Sequence, residues 1–255
     1  MRRYTEEIRK KAGNLLKEGK VDLVLGYAGG SVPMMNRPIL IRRPEEADQL
    51  LWDGFCSLNL ANYLTGRKEK IGVIANGCNS RNIVNHIVEN QVKREQLHIL
   101  GMPCEGMIDR RLVARAAGGK DILAVTEENG TVTVDIAGSP KQLGREDLLQ
   151  QNCRTCAHRN PVVYDEMIGN PVEERNGLEP YADVAAIEAM APAERWEYFS
   201  RLVSGCIRCY ACRNACPLCY CPTCFVDDSR PQWVGKGSDP VDTMTFHLLR
   251  AYHCA

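Results

Sequence analysis

Over residues 5–18 (TEEIRKKAGNLLKE) apolar side chains return every three or four positions. Ile8, Ala12, Leu15 and Leu16 fall on one face with charge opposite, which predicts an amphipathic helix stopped by Gly19. Continuous apolar runs then predict buried strands at 21–27 (VDLVLGY), 38–43 (PILIRR), 71–77 (IGVIANG) and 97–103 (LHILGMP). Segment 44–65 reads as a helix, with Pro44 at its first position, Glu45 and Glu46 in its first turn and Gly66 after its end. Helical patterns follow the strands at 71–77 and 97–103, the first from about Arg81 and the second through Arg115. Strands alternating with helices predict an α/β core on a mainly parallel sheet. Residues 121–138 read as a hairpin turning at Asn129-Gly130.

Composition shifts near Ser139, which divides the chain into an α/β core at 1–138 and a cysteine-rich region at 139–255. In the latter, short helices are expected at 143–151, 181–190, 193–204 and 240–253, with a Pro- and Gly-rich loop at 157–180.

Charge narrows the function. Lys+Arg and Asp+Glu both number 32, so the chain lacks the basic excess on which nucleic-acid or membrane-surface affinity rests. The charged start has no apolar signal segment, and no apolar run approaches the ~20 residues of a membrane span. A cytoplasmic chain is expected. Thirteen cysteines in a reducing compartment mean metal or redox chemistry rather than disulfides.

Seven of them, Cys206, Cys209, Cys212, Cys216, Cys219, Cys221 and Cys224, lie within CIRCYACRNACPLCYCPTC. The first part is C-x2-C-x2-C-x3-C-P, the ligand run of 4Fe–4S ferredoxins, with Pro217 turning the chain after the fourth cysteine. Zinc is the competing ligand, but seven thiols exceed one tetrahedral site, and a zinc-bearing interaction scaffold is the third reading of the chain. Cys153 and Cys156 form a further C-x2-C, and with them nine cysteines are one more than two 4Fe–4S clusters need. On this arithmetic Cys153 and Cys156 complete the second cluster, one of Cys219, Cys221 and Cys224 is spare, and His158 is a surface residue. Cys78 and Cys104 fall at strand ends, where active loops of parallel sheets lie, and read as packed thiols outside the clusters. Gly77, Asn79 and Ser80 stand where a helix start would offer N–H groups to a flavin phosphate. No G-x-G-x-x-G fingerprint is present.

Four segments carry a resemblance to a known family: GVIANGCNSRNIVNHIVENQ (72–91), LHILGMPCEGMIDRR (97–111), CRTCAHRNPVVYDEMIGNPVEER (153–175) and CIRCYACRNACPLCYCPTCFVDDSRPQW (206–233). The chain resembles the β-subunit family of deazaflavin-coenzyme hydrogenases and dehydrogenases, in particular its iron–sulfur members associated with heterodisulfide reductase-type complexes. The resemblance implies a flavin-domain-like α/β core joined to a ferredoxin-like, cluster-binding region. It also implies a non-catalytic electron-transfer subunit with two 4Fe–4S clusters, working in an anaerobic complex of heterodisulfide reductase, hydrogenase or formate dehydrogenase type. The alternative is an oxidoreductase subunit whose FAD exchanges hydride with a deazaflavin or nicotinamide. Against that alternative, residues 1–50 hold no cysteine motif of the kind flavin-bearing members carry.

Overall fold

The computed structural model describes residues 2–237 and 239–254, with side chains at 4–237 and 239–252. It forms two compact units, Met1–Leu178 and Glu179–Ala255.

In the first unit, helix α1 (Arg2–Lys17) buries Ile8, Ala12 and Leu15, the face its periodicity marks. Strands β1 (Leu23–Ala28), β2 (Arg37–Ile41), β3 (Ile71–Ala75), β4 (Leu97–Gly101) and β8 (Glu166–Met167) make one sheet in the order β2-β1-β3-β4-β8. Only β2 runs antiparallel. β1 and β3 are buried at every position, as strands covered on both faces must be. β3 and β4 align Ile71 with Leu97 through Ala75 with Gly101, so both end at the same edge. Helix α2 (Gly77–Val88) leaves β3 there, and α3 (Arg110–Ala117) follows the loop after β4. A second, antiparallel sheet consists of β5 (Ile122–Glu128), β6 (Thr131–Ile136) and β7 (Ser139–Gly144).

Four expectations change. Segment 44–65 is not one helix: only Pro44–Gln49 and Leu60–Tyr63 turn, as short 3-10 pieces. Between them the Asp53 carboxylate accepts the Phe55 N–H at 2.8 Å, a local bond that competes with helix. The Trp52 ring is drawn edge-on to buried Tyr27, 5.7 Å between centroids. Helix α2 begins at Gly77 rather than near Arg81, because Asn76 caps it: its side chain accepts the Asn79 N–H at 3.0 Å. The helix expected at 143–151 is replaced by β7, which extends the hairpin through a turn with positive φ at Ala137 and Gly138, and by helix α4 (Gln151–Arg154). Finally, residues 139–178 stay with the first unit, held by β7 on β6 and β8 on β4.

The second unit contains α5 (Ala182–Glu188), α6 (Pro192–Val203), α7 (Ala211–Ala215) and α8 (Pro240–Cys254). Among its described residues the buried apolar side chains are Val226, Val234 and Phe246. The Cys254 side chain lies outside the described residues.

Candidate metal centres

Twelve cysteines are described, and all are free thiols. Among the described residues, no group of three or more His, Cys, Asp or Glu side chains stands at the spacing of a single bound ion. A cubane spreads its four thiolates wider than one ion does.

In the first unit, three segments that carry four thiols pack together. Cys78 sits in the first turn of α2, Cys104 in the loop after β4, and Cys153 and Cys156 on and just after α4. The loop 156–162 draws them together. Its Arg159 carbonyl accepts the Cys104 N–H at 3.1 Å, and its Val162 N–H reaches Ser80 Oγ at 3.0 Å. It lies so close over α2 that a Cβ on Gly77 would stand 3.1 Å from both the His158 and Asn160 carbonyls. Gly106, at φ +100°, lets the β4 loop meet α4: a Cβ there would be 3.3 Å from the Cβ of Cys153.

These thiols feel one another. Burial pushes Cys104 up to about 11, and the charges of Cys153, Cys78 and Cys156 push the same way. Cys78 is raised by burial, then by Cys156 and Cys153. Cys153 is raised by burial and by Cys156, while Arg145 and Arg159 oppose. Thiols held this way suit a metal group whose positive charge takes up the thiolates. Donors aimed at sulfur complete the fit: Met107 N–H to Cys153 Sγ at 3.4 Å and Asn76 Nδ2 to Cys104 Sγ at 3.8 Å.

Gly77, Asn79 and Ser80 lie beside this centre but are occupied with holding it. The Asn79 side chain accepts the Leu60 N–H at 2.7 Å and donates to Tyr27 Oη at 3.2 Å. Ser80 Oγ donates to the Gly77 carbonyl at 2.9 Å. Gly77 and Ser80 both touch the loop carrying His158, which is itself exposed.

Two clefts open among the described residues of the same unit. One, of about 930 Å³, lies among Tyr4, Arg9, Trp52, Asp53, Glu105 and Glu127, an acidic lining. The other, of about 620 Å³, includes Met34, Met35, Phe55, Arg110, Arg111 and Gln150.

The second unit holds all seven cysteines of the run. Cys209, Cys212 and Cys221 are exposed and the other four half-buried. Arg208 and Tyr210 both adopt left-handed backbone, at φ 54° and 60°. Non-glycine residues alternating this way curl the chain into a nest of N–H groups, a shape that receives anionic clusters. The Arg208 N–H already reaches Cys206 Sγ at 3.4 Å. Helix α8 adds polar groups: His247 Nε2 lies 3.0 Å from Cys206 Sγ, and Arg250 donates to Cys212 and Cys219. The residues fit a 4Fe–4S group.

The sequence reading sets Cys78 and Cys104 apart from Cys153 and Cys156, whereas in the structure the segments that carry them are in contact. The available signal was their common position: both end neighbouring parallel strands, and register puts those ends side by side.

No family model matches the chain. It is similar to "F420-dependent formate dehydrogenase 1 subunit beta" of Methanococcus maripaludis, 23% identical over 94% of this chain and 78% of the relative. It is also similar to "F420-dependent formate dehydrogenase subunit beta" of Methanocaldococcus jannaschii, 21% identical over the same shares. A chain of the solved F420-reducing [NiFe] hydrogenase complex from Methanosarcina barkeri superposes with a TM-score of 0.49 and 14% identity, over 79% of this chain and 90% of that one. The chain thus resembles the β subunits of deazaflavin-dependent enzymes.

Proposed function

We propose that this chain is an iron–sulfur electron-transfer subunit of a redox complex of the formate dehydrogenase, hydrogenase or heterodisulfide reductase type. At least two 4Fe–4S clusters serve it: one held by Cys78, Cys104, Cys153 and Cys156, and at least one by the 206–224 run. The observation that carries the reading is that the segments bearing four thiols, distant in sequence, pack on one another: Cys78 and Cys104 follow the carboxyl ends of β3 and β4, and α4 and the loop 156–162 lie against both. Single buried cysteines behave as small apolar residues and have no cause to gather. The relatives' names support the complex, since both are β subunits of oxidoreductases.

Each cluster, when bound, carries one electron at a time. The chain's own residues hold and shield the sulfurs. Met107 N–H and Asn76 stabilise thiolate charge, and the fixed cation of Arg145 stands near Cys153. In this reading Cys153 and Cys156 complete the first-unit centre, and the run supplies its own ligands.

Anaerobically loaded protein should contain about eight iron atoms per chain or more. Cys104→Ser and the Cys153→Ser/Cys156→Ser pair should each lose about four, with the electron paramagnetic resonance signal of the run intact. Full iron in all these variants would overturn the four-thiol centre. A chain purified with zinc and no visible absorption would replace the relay with a scaffold.

A further inference from the structure

Helix α8 is anchored in the second unit by Phe246, which is buried against the Tyr210 ring, 5.7 Å away and edge-on. The guanidinium carbons of Arg208 and Arg250 lie 5.2 and 5.4 Å from the Phe246 ring centroid. From that anchor Arg250 reaches the cysteine run with both arms. Nη1 donates to Cys212 Sγ at 2.8 Å and Nη2 to Cys219 Sγ at 3.7 Å.

The neighbouring cation behaves differently. Arg213, inside the run, is paired with Asp227 at 2.5 Å, and its charge is compensated. Among the described residues Arg250 has no carboxylate partner at ion-pair distance, and its hydrogen bonds go to sulfur. A side chain that gives its whole fork to two thiols seven residues apart acts on both at once.

We propose that Arg250 is a positioning residue that holds Cys212 and Cys219 as ligands of one cluster and raises that cluster's reduction potential. The proposal rests on the relay reading above. Its physical basis is charge. Guanidinium stays protonated at any working pH, and its N–H···S bonds are charge-assisted. They stabilise the more negative, reduced cluster more than the oxidised one, which makes reduction easier. Lysine keeps the charge but cannot span two sulfurs.

The test uses the full chain, anaerobically loaded, with iron analysis and a redox titration followed by electron paramagnetic resonance. Arg250→Gln should keep its iron and move one cluster's midpoint to a more negative potential, leaving the others in place. Arg250→Lys should fall between Arg250→Gln and the parent. Cys212→Ser and Cys219→Ser should both change the signal that Arg250→Gln moves. If Arg250→Gln sheds iron, retention in Arg250→Lys with a lowered midpoint still supports the role. Loss of iron in both variants, unmoved midpoints, or separate signals for the two cysteine variants would each overturn it. A parent chain that takes up no iron would overturn the relay reading as well, whereas the other outcomes touch Arg250 alone.

Discussion

Arg145 shows how one residue holds the first-unit centre from behind. It is only 4% exposed, and its guanidinium binds the Glu127 carboxylate together with the carbonyls of Glu105, at 2.8 Å, and Gly106, at 2.7 Å. Those carbonyls belong to the loop that carries Cys104, so a buried ion pair doubles as a brace for that loop. Arg145 binds Glu127 through Oε1, and Oε2 has no hydrogen-bond partner among the described residues. Arg145→Met should therefore leave a lone buried carboxylate and cost about 3–5 kcal/mol, read by urea unfolding. Adding Glu127→Leu should recover much of that stability, because two apolar groups replace the pair. Iron in the first-unit centre should remain low in the double variant, since the loop carbonyls stay unbraced. Normal iron in both variants would limit Arg145 to a packing role.

At the scale of elements, the two-residue strand β8 depends on carboxylates more than on its own ladder. Asp165 accepts the Ile99 N–H at 2.7 Å and pairs with Arg94 at 2.6 Å, while Glu166 meets Lys11 at 3.2 Å and His98 at 3.0 Å. Burial pulls the pKa of each carboxylate up, but these partners outweigh it and leave both below the usual range. A carboxylate with a depressed folded pKa stabilises the fold above its unfolded pKa, about 4, and loses that contribution as pH falls through the folded value. Hydrogen-exchange protection of the Ile168 N–H, bonded to Gly101 at 2.9 Å, should decline below about pH 4. Asp165→Asn should lower it already at neutral pH. Protection that is flat with pH in the parent would mean that the ladder alone holds β8. Such a strand is invisible to periodicity, because two residues cannot show a period. The long buried strands were readable for the opposite reason, as continuous apolar runs at 21–27, 71–77 and 97–103. Segment 44–65 misled because helix-start residues at Pro44, Glu45 and Glu46 precede a stretch whose backbone is set by Asp53 and by the Trp52–Tyr27 contact. The cysteine run announced itself by spacing. The Cys78 and Cys104 centre did not, since its members meet only through strand register and a folded-back loop.

At the scale of the whole molecule the two units differ in what holds them. The first has a continuous core that includes Ile8, Leu25, Tyr27, Ile74, Ile83 and Leu100, all shut off from solvent. The only apolar side chains that the second buries among its described residues are Val226, Val234 and Phe246. Four helices add backbone bonds, but short helices with so little apolar packing are marginal in water. Disulfides do not fill the gap, because the seven cysteines of the run are free. In the proposed relay, cluster ligation holds this unit together, as in small domains that fold only with their metal. Stripping iron anaerobically with a chelator should therefore unfold the second unit and leave the first largely folded. Far-UV circular dichroism should lose helical signal, and limited proteolysis should leave a stable fragment ending near residue 178. Iron restored with sulfide under reducing conditions should return the protected length. An iron-free chain whose second unit resists protease as the loaded one does would show that side-chain packing suffices, and that the run's thiols are not its structural centre.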